Sequence, residues 1–154
     1  DSKRPVPVFS ASDAVSGGAT VTATVDGKAV NSGQALELWR LPLGNHDLTV
    51  KARDKAGNVT TKTVAFTTRT SYADIRALIT QLRADGLITA QGQQRLTVRL
   101  GQAEAHADAG RTSQAASVLE SFAGYTADKA LVPDGAAGAA LARDARALKG
   151  GATG

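Results

Sequence analysis

Apolar side chains follow two different rhythms along this chain. Up to about residue 68 they alternate with polar ones, and beyond it they return once per helical turn. The alternating part is organised around Leu41–Asn58. There Leu48, Val50 and Ala52 point one way and Thr49, Lys51 and Arg53 the other, the period of a half-buried β-strand. Asp54-Lys-Ala-Gly-Asn58 supplies a reversal after it, because Gly57 and Asn58 tolerate positive φ and an Asp side chain bonds backbone N–H groups two residues on. Ahead of it, Thr20 to Val25 alternates with Val21, Ala23 and Val25 inward. Asp26-Gly27 then predicts a two-residue type I′ hairpin turn into Lys28-Ala-Val30. Asn31-Ser-Gly33 breaks the chain again, and Ala35–Arg40 reads as another strand, with Leu36 and Leu38 inward and Glu37 and Trp39 on the opposite face. Pro5–Phe9 is restricted to an edge strand by its two prolines. Val59–Thr67 closes the sheet with Val64 and Phe66 on one face. Val59 has the wrong parity, which calls for either a bulge or a splayed hairpin tip. Five or six short strands in this order predict an immunoglobulin-like β-sandwich, small beside the ~100 residues usual for that fold.

From Thr67-Thr-Arg-Thr-Ser71 onward the spacing is helical. Ser71 with Asp74 resembles a capping box, and Ile75, Leu78, Ile79 and Leu82 form one stripe ending at Gly86. Thr89 is placed to cap a second helix carrying Leu96, Leu100, Ala103 and Ala107 and stopped by Gly110. Thr112 is placed to cap a third, with Ala115, Val118, Leu119 and Phe122 inward and fraying expected near Gly124. Pro133-Asp134 opens a fourth, lined by Ala137, Leu141, Ala145 and Leu148 and released at Gly150-Gly151. Short loops between amphipathic helices predict an antiparallel bundle. The division is thus an all-β module over 1–69, an all-α module over 70–149 and a flexible tail over 150–154.

Composition narrows the chemistry. Aromatic residues make up 4% of the chain and Met is absent, so both cores rest on Val, Leu, Ile and Ala with Trp39, Phe9, Phe66 and Phe122 as the large fillers. The formal charge of +4 is spread evenly: residues 1–68 hold eight basic and six acidic side chains, residues 69–154 ten and eight. Without a basic face interleaved with aromatics, a nucleic-acid partner is not expected. There is no cysteine, hence no disulfide or thiolate metal site, and no apolar run near the ~20 residues of a membrane span. Asp1-Ser-Lys-Arg-Pro has the composition of a mid-chain linker, so the expectation is a C-terminal piece of a longer protein.

Two resemblances follow from the motifs. Asp13-x-x-Ser16-Gly17, Asp26-Gly27, Leu41-x-x-Gly44-x-His46 and Ala52-x-Asp54-x-Ala56-Gly57-Asn58 resemble bacterial Ig-like repeats of secreted multidomain proteins and polysaccharide-acting enzymes. Leu78-Ile79, Gly86-x-Ile88, Leu96-x-x-x-Leu100-x-x-Ala103, Leu119-x-x-Phe122 and Leu141-x-x-x-Ala145-x-x-Leu148 resemble the FIMAH-type helical module, itself similar in style to the FIVAR repeats of cell-wall proteins. The resemblance implies an accessory region of a secreted, actinobacterial enzyme, a glycoside hydrolase, lyase or protease, with no catalytic residue to carry over.

Candidate sites are few. Trp39 on an open sheet face, flanked by Glu37 and Arg40, has the physics of a sugar-stacking platform; the competing reading packs it in a seam between the modules, with Tyr72 as neighbour. Arg76, Arg83, Arg95 and Arg99 recur at helical spacing as a basic stripe for anionic glycans or cell-wall polymers, or as a solvated face. Asp13, Asp54 and Asn58 offer hard oxygens for Ca²⁺, but three from two loops are too few for a site, and the reading preferred is that each caps its own turn. His46 and His106, the two imidazoles, lie in different modules, His46 best placed to bond backbone at the start of its strand. No nucleophile elbow, zincin motif or phosphate loop is present, and no cofactor is expected. The function expected is a non-catalytic, extracellular, monomeric accessory region. It would serve the catalytic domain of its parent chain and bind a polysaccharide or cell wall, with a pure spacer and a protein-binding bundle as the alternatives.

Overall fold

The computed structural model describes residue 5 and residues 7–9 and 20–151. These residues fall into two compact units. One runs up to Leu38 and resumes at Pro42–Thr68; the other holds Trp39–Leu41 and everything from Arg69.

The first unit is a four-stranded antiparallel sheet of β1 (Thr20–Val25), β2 (Lys28–Val30), β3 (Gly44–Arg53) and β4 (Val59–Thr68), in the order β2-β1-β3-β4. Asp26 at φ 48 and Gly27 at φ 80 form the expected turn between β1 and β2. Val25 pairs with Leu48, Ala23 with Val50 and Val21 with Ala52, so the apolar positions of β1 and β3 share one face, and Val64 stands across from Leu48 on it. A single sheet is present among the described residues, where a two-sheet sandwich was expected. Val59 needs no bulge: β3 and β4 pair one for one from Gly44 and Thr68 to Arg53 and Val59. Unbroken alternation simply puts Val59, an odd number of residues from Val64, on the other face, 58% exposed.

Two expected strands are absent among the described residues. Pro7 and Pro5 carbonyls do accept from Gly33 and Leu36 N–H, but as isolated bonds rather than a ladder. Over Ala35–Arg40 the chain closes on itself, Leu38 N–H donating to Leu36 O, and passes into a single 3₁₀ turn at Leu38–Arg40. Strand parity does not propagate through such a turn, which is why it misplaces Trp39.

The second unit has helices α1 (Tyr72–Ala84), α2 (Ala90–Asp108), α3 (Thr112–Thr126) and α4 (Gly135–Gly151). Each packs on its neighbour in sequence, and α1 closes on α4. Ser71 caps the helix by accepting from Asp74 N–H, and its hydroxyl donates to the Asp74 carboxylate, whereas in a full capping box that side chain would bond the cap's own N–H. Thr89 caps α2 through Gly92 N–H, and Asp134 caps α4 through Ala137 N–H. The start of α3 is corrected: Arg111 holds the cap position without a side-chain bond, and Thr112 is already helical. Ile75, Leu78, Ile79, Leu82, Leu96, Leu100, Phe122 and Leu141 are all fully buried in one cluster. Trp39 belongs to that same cluster. Its segment is held by Arg143 of α4, whose guanidinium donates to the carbonyls of Trp39 and Leu41 while contacting the fully buried Asp144.

Candidate functional site

The first turn of α2 is fixed from behind. Leu131 carbonyl accepts from both the backbone N–H and the hydroxyl of Thr89, and lies where a Cβ on Gly92 would meet it at 2.2 Å. Gly92, Leu96, Leu100 and Ala103 then face the core. With that side committed, the helical period brings Gln91, Gln94, Arg95, Val98, Arg99 and Gln102 onto a common outward stripe. Tyr125, near the end of α3, forms the facing wall, and the stripe and the ring enclose an open groove of about 480 Å³.

Two guanidiniums set the groove's character. Arg99 donates to Gln102 Oε1 at 3.1 Å and to the Tyr125 hydroxyl at 3.2 Å, and its guanidinium carbon lies 5.5 Å from the Tyr125 ring centroid. That hydrogen bond, with the charges of Arg99 and Arg95 behind it, holds the Tyr125 phenol below its ordinary range. Arg95 is exposed, and its guanidinium makes no hydrogen bond or ion pair among the described residues. No Asp or Glu lines the groove, so both charges face it without a compensating carboxylate in its wall. Amides, guanidiniums, one phenol and the half-exposed Val98 can bind a polar, anionic partner. They supply no nucleophile with its base and no pair of carboxylates for acid–base work.

Of the four arginines expected to form a basic stripe, the structure brings Arg95 and Arg99 together. Arg76, on α1, is paired with Glu104 at 2.5 Å, and Arg83 lies near the end of α1 outside the groove. Of the two readings of Trp39, the open platform is not what the structure shows and burial is: the ring is fully buried in the helical unit's cluster, and Arg40 lies over it at 4.2 Å. Glu37 belongs to the sheet unit. Among the calcium candidates, both carboxylate oxygens of Asp54 are engaged by Asn58, through its N–H and its side-chain amide. Asp13 lies outside the described residues, among which no cluster of three metal-ligating side chains occurs. His46 and His106 fall in different units. Gln91, Gln94 and Gln102 were visible in the sequence as the polar face of a helix. Tyr125 comes from another helix and carried no such signal.

One network in the sheet unit has the connectivity of a hydrolytic triad. Asp26 Oδ2 is 2.6 Å from His46 Nδ1, and His46 Nε2 is 3.0 Å from the Thr68 hydroxyl. It is a structural lock. Thr68 donates its proton to Pro42 O at 2.7 Å, Asp26 Oδ1 accepts from Asp47 N–H, and His46 and Thr68 are buried to 4% and 2% exposure, out of a substrate's reach. His46 Nε2 also lies 3.0 Å from Pro42 O, the backbone contact expected of it.

The FIMAH domain model matches residues 72–150, α1 through α4. No curated protein and no solved structure matches the chain.

Proposed function

The chain belongs to the FIMAH domain family, a family of accessory rather than catalytic modules, and on that premise we propose that it is the accessory region of a secreted bacterial enzyme, holding its catalytic partner on a carbohydrate or cell-wall polymer. The observation that carries this reading is the α2 groove: an open concavity lined by two arginines and three amides, on a helix whose opposite face is fully buried. A helix whose inward face is so fixed presents its outward side chains with little freedom to lose on binding. The sheet unit, read as an Ig-like repeat, serves in this account as the spacer that precedes the binding module. An extracellular setting agrees with the family, and no helix among the described residues is long and apolar enough to cross a membrane.

Affinity electrophoresis and pull-down of the full chain on pectate, xylan, mannan, cellulose and chitin test the proposal. Retention on at least one, lost in the double variant Arg95→Ala/Gln94→Ala with its helical circular dichroism unchanged, is the expected result. Absence of retention on every polymer leaves a spacer without a ligand and overturns the binding role.

A further inference from the structure

We propose that the α2 groove takes a carboxylate-bearing glycan, a chain of uronic acid residues, with Arg95 as its principal carboxylate contact; this deepens the polymer-binding reading and rests on it.

Three features select that ligand class. Arg95 and Arg99 are one helical turn apart, about 6 Å along the axis, so the pair offers two anion sites in line along an extended chain. Arg99 spends two of its five N–H donors on Gln102 and Tyr125, which fixes the plane of its fork and leaves the rest for a ligand. Arg95 keeps all five donors uncommitted among the described residues. A planar fork matches a carboxylate bidentately.

The amides decide between a carboxylated sugar and a simpler anion. The side chains of Gln91 and Gln94 are exposed and make no hydrogen bond among the described residues. Each offers a donor and an acceptor side by side, as vicinal ring hydroxyls require and a bare phosphate does not. Val98, 55% exposed beside the two arginines in the groove lining, presents an apolar patch to the C–H face of a sugar ring. Nucleic acid fits less well. The one aromatic ring in the lining, Tyr125, is already engaged by Arg99, so no free stacking surface for bases remains in the groove.

The full chain, ¹⁵N-labelled, is titrated with tetragalacturonic acid, with its methyl ester, and with a poly(glycerol phosphate) oligomer. The acid is expected to shift the amides of Gln94, Arg95, Val98 and Tyr125, more weakly as salt is raised. The methyl ester keeps every ring hydroxyl and loses the charge, and is expected to bind at least about tenfold more weakly. Arg95→Gln is expected to lose about the same factor and Arg95→Lys less, since Lys keeps the charge without the fork. Arg83→Gln, outside the groove, is the control and leaves binding unchanged. Equal affinity for acid and ester overturns the carboxylate assignment while polymer binding stands. Tighter binding of the glycerol phosphate oligomer overturns it in favour of a phosphate polymer. No shift with any of the three, together with no retention on the polysaccharide panel, overturns both readings.

Discussion

The two units are held together by different physics. In the helical unit the largest side chains, Trp39 and Phe122 with a set of Leu and Ile, reach zero exposure in a single cluster. Among the described residues of the sheet unit, the buried side chains are few and, apart from Leu38, small or polar: Ala23, Val25, His46 and Thr68. Val59 and Val64 remain largely exposed on its last strand. That sheet draws its order from a ten-residue β3–β4 ladder and from the Asp26–His46–Thr68 lock. One unit therefore answers mainly to packing, the other to hydrogen bonding, and perturbations of the two kinds should separate them.

The largest effect is expected at Trp39. Trp39→Ala removes the biggest side chain from the helical core and should cost that unit about 3–5 kcal/mol, read from urea unfolding followed at 222 nm. The β1–β3 amide resonances should persist where the helices melt. Loss of both units in one transition would break the comparison. A piece cut to begin at residue 69 omits the same indole and should be weakened similarly, although it retains all four helices. Gly92→Ala comes next. The new Cβ meets the Leu131 carbonyl at 2.2 Å, contact with backbone that cannot swing aside, and about 1–3 kcal/mol of overpacking is expected. Gly101→Ala in the same helix meets nothing within 4 Å and should stabilise by roughly 0.5–1 kcal/mol. Opposite signs for one chemical change in one helix, measured by thermal denaturation, isolate packing as the cause.

What the sequence disclosed divides along the same line, local against distant. Ser71 with Asp74, Thr89 before Gly92, and Asp26-Gly27 are determined within four residues, and each caps or turns as its sequence dictates. Arg111 displaced Thr112 as a cap because no side-chain bond marks that start. Trp39 was misplaced for another reason. A six-residue alternation over Ala35–Arg40 has too little length to impose a strand, and the partners that bury the indole lie on helices thirty or more residues on. In the groove, Arg95 and Arg99 were visible because α2 alone aligns them, whereas Tyr125 enters from α3 only when the helices pack.

The lock in the sheet unit gives the next test. The Asp26 carboxyl is held below its ordinary value chiefly by the hydrogen bond to His46, then by Asp47 N–H. A depressed native value means the contribution is complete above the unfolded carboxylate value of about 3.9 and disappears as pH falls through the lower native one. Acid should therefore loosen the sheet below about pH 4, followed by the amide resonances of Thr24 and Thr49, whose residues pair across β1 and β3. Asp26→Asn keeps the left-handed turn available and should flatten that pH dependence. Trp39 is the sole tryptophan, so its fluorescence follows the helical unit by itself and should show little of the same transition.

The smallest effect is expected on the surface of the helical unit. Arg76 and Glu104 pair at 2.5 Å, but their side chains keep 43% and 32% of their exposure, so water and salt compete for both charges. Ordering two long side chains offsets most of the attraction, and Arg76→Ala should cost only about 0.2–1 kcal/mol, less still at high salt. The double variant with Glu104→Ala should restore no more than that amount, measured as a coupling energy by urea unfolding. This small number tests the comparison directly. If breaking one exposed ion pair cost the helices as much as pushing a Cβ into the Leu131 carbonyl, charge rather than packing would govern the unit, and the freedom of Arg95 and Arg99 to serve a ligand would carry a stability penalty of its own.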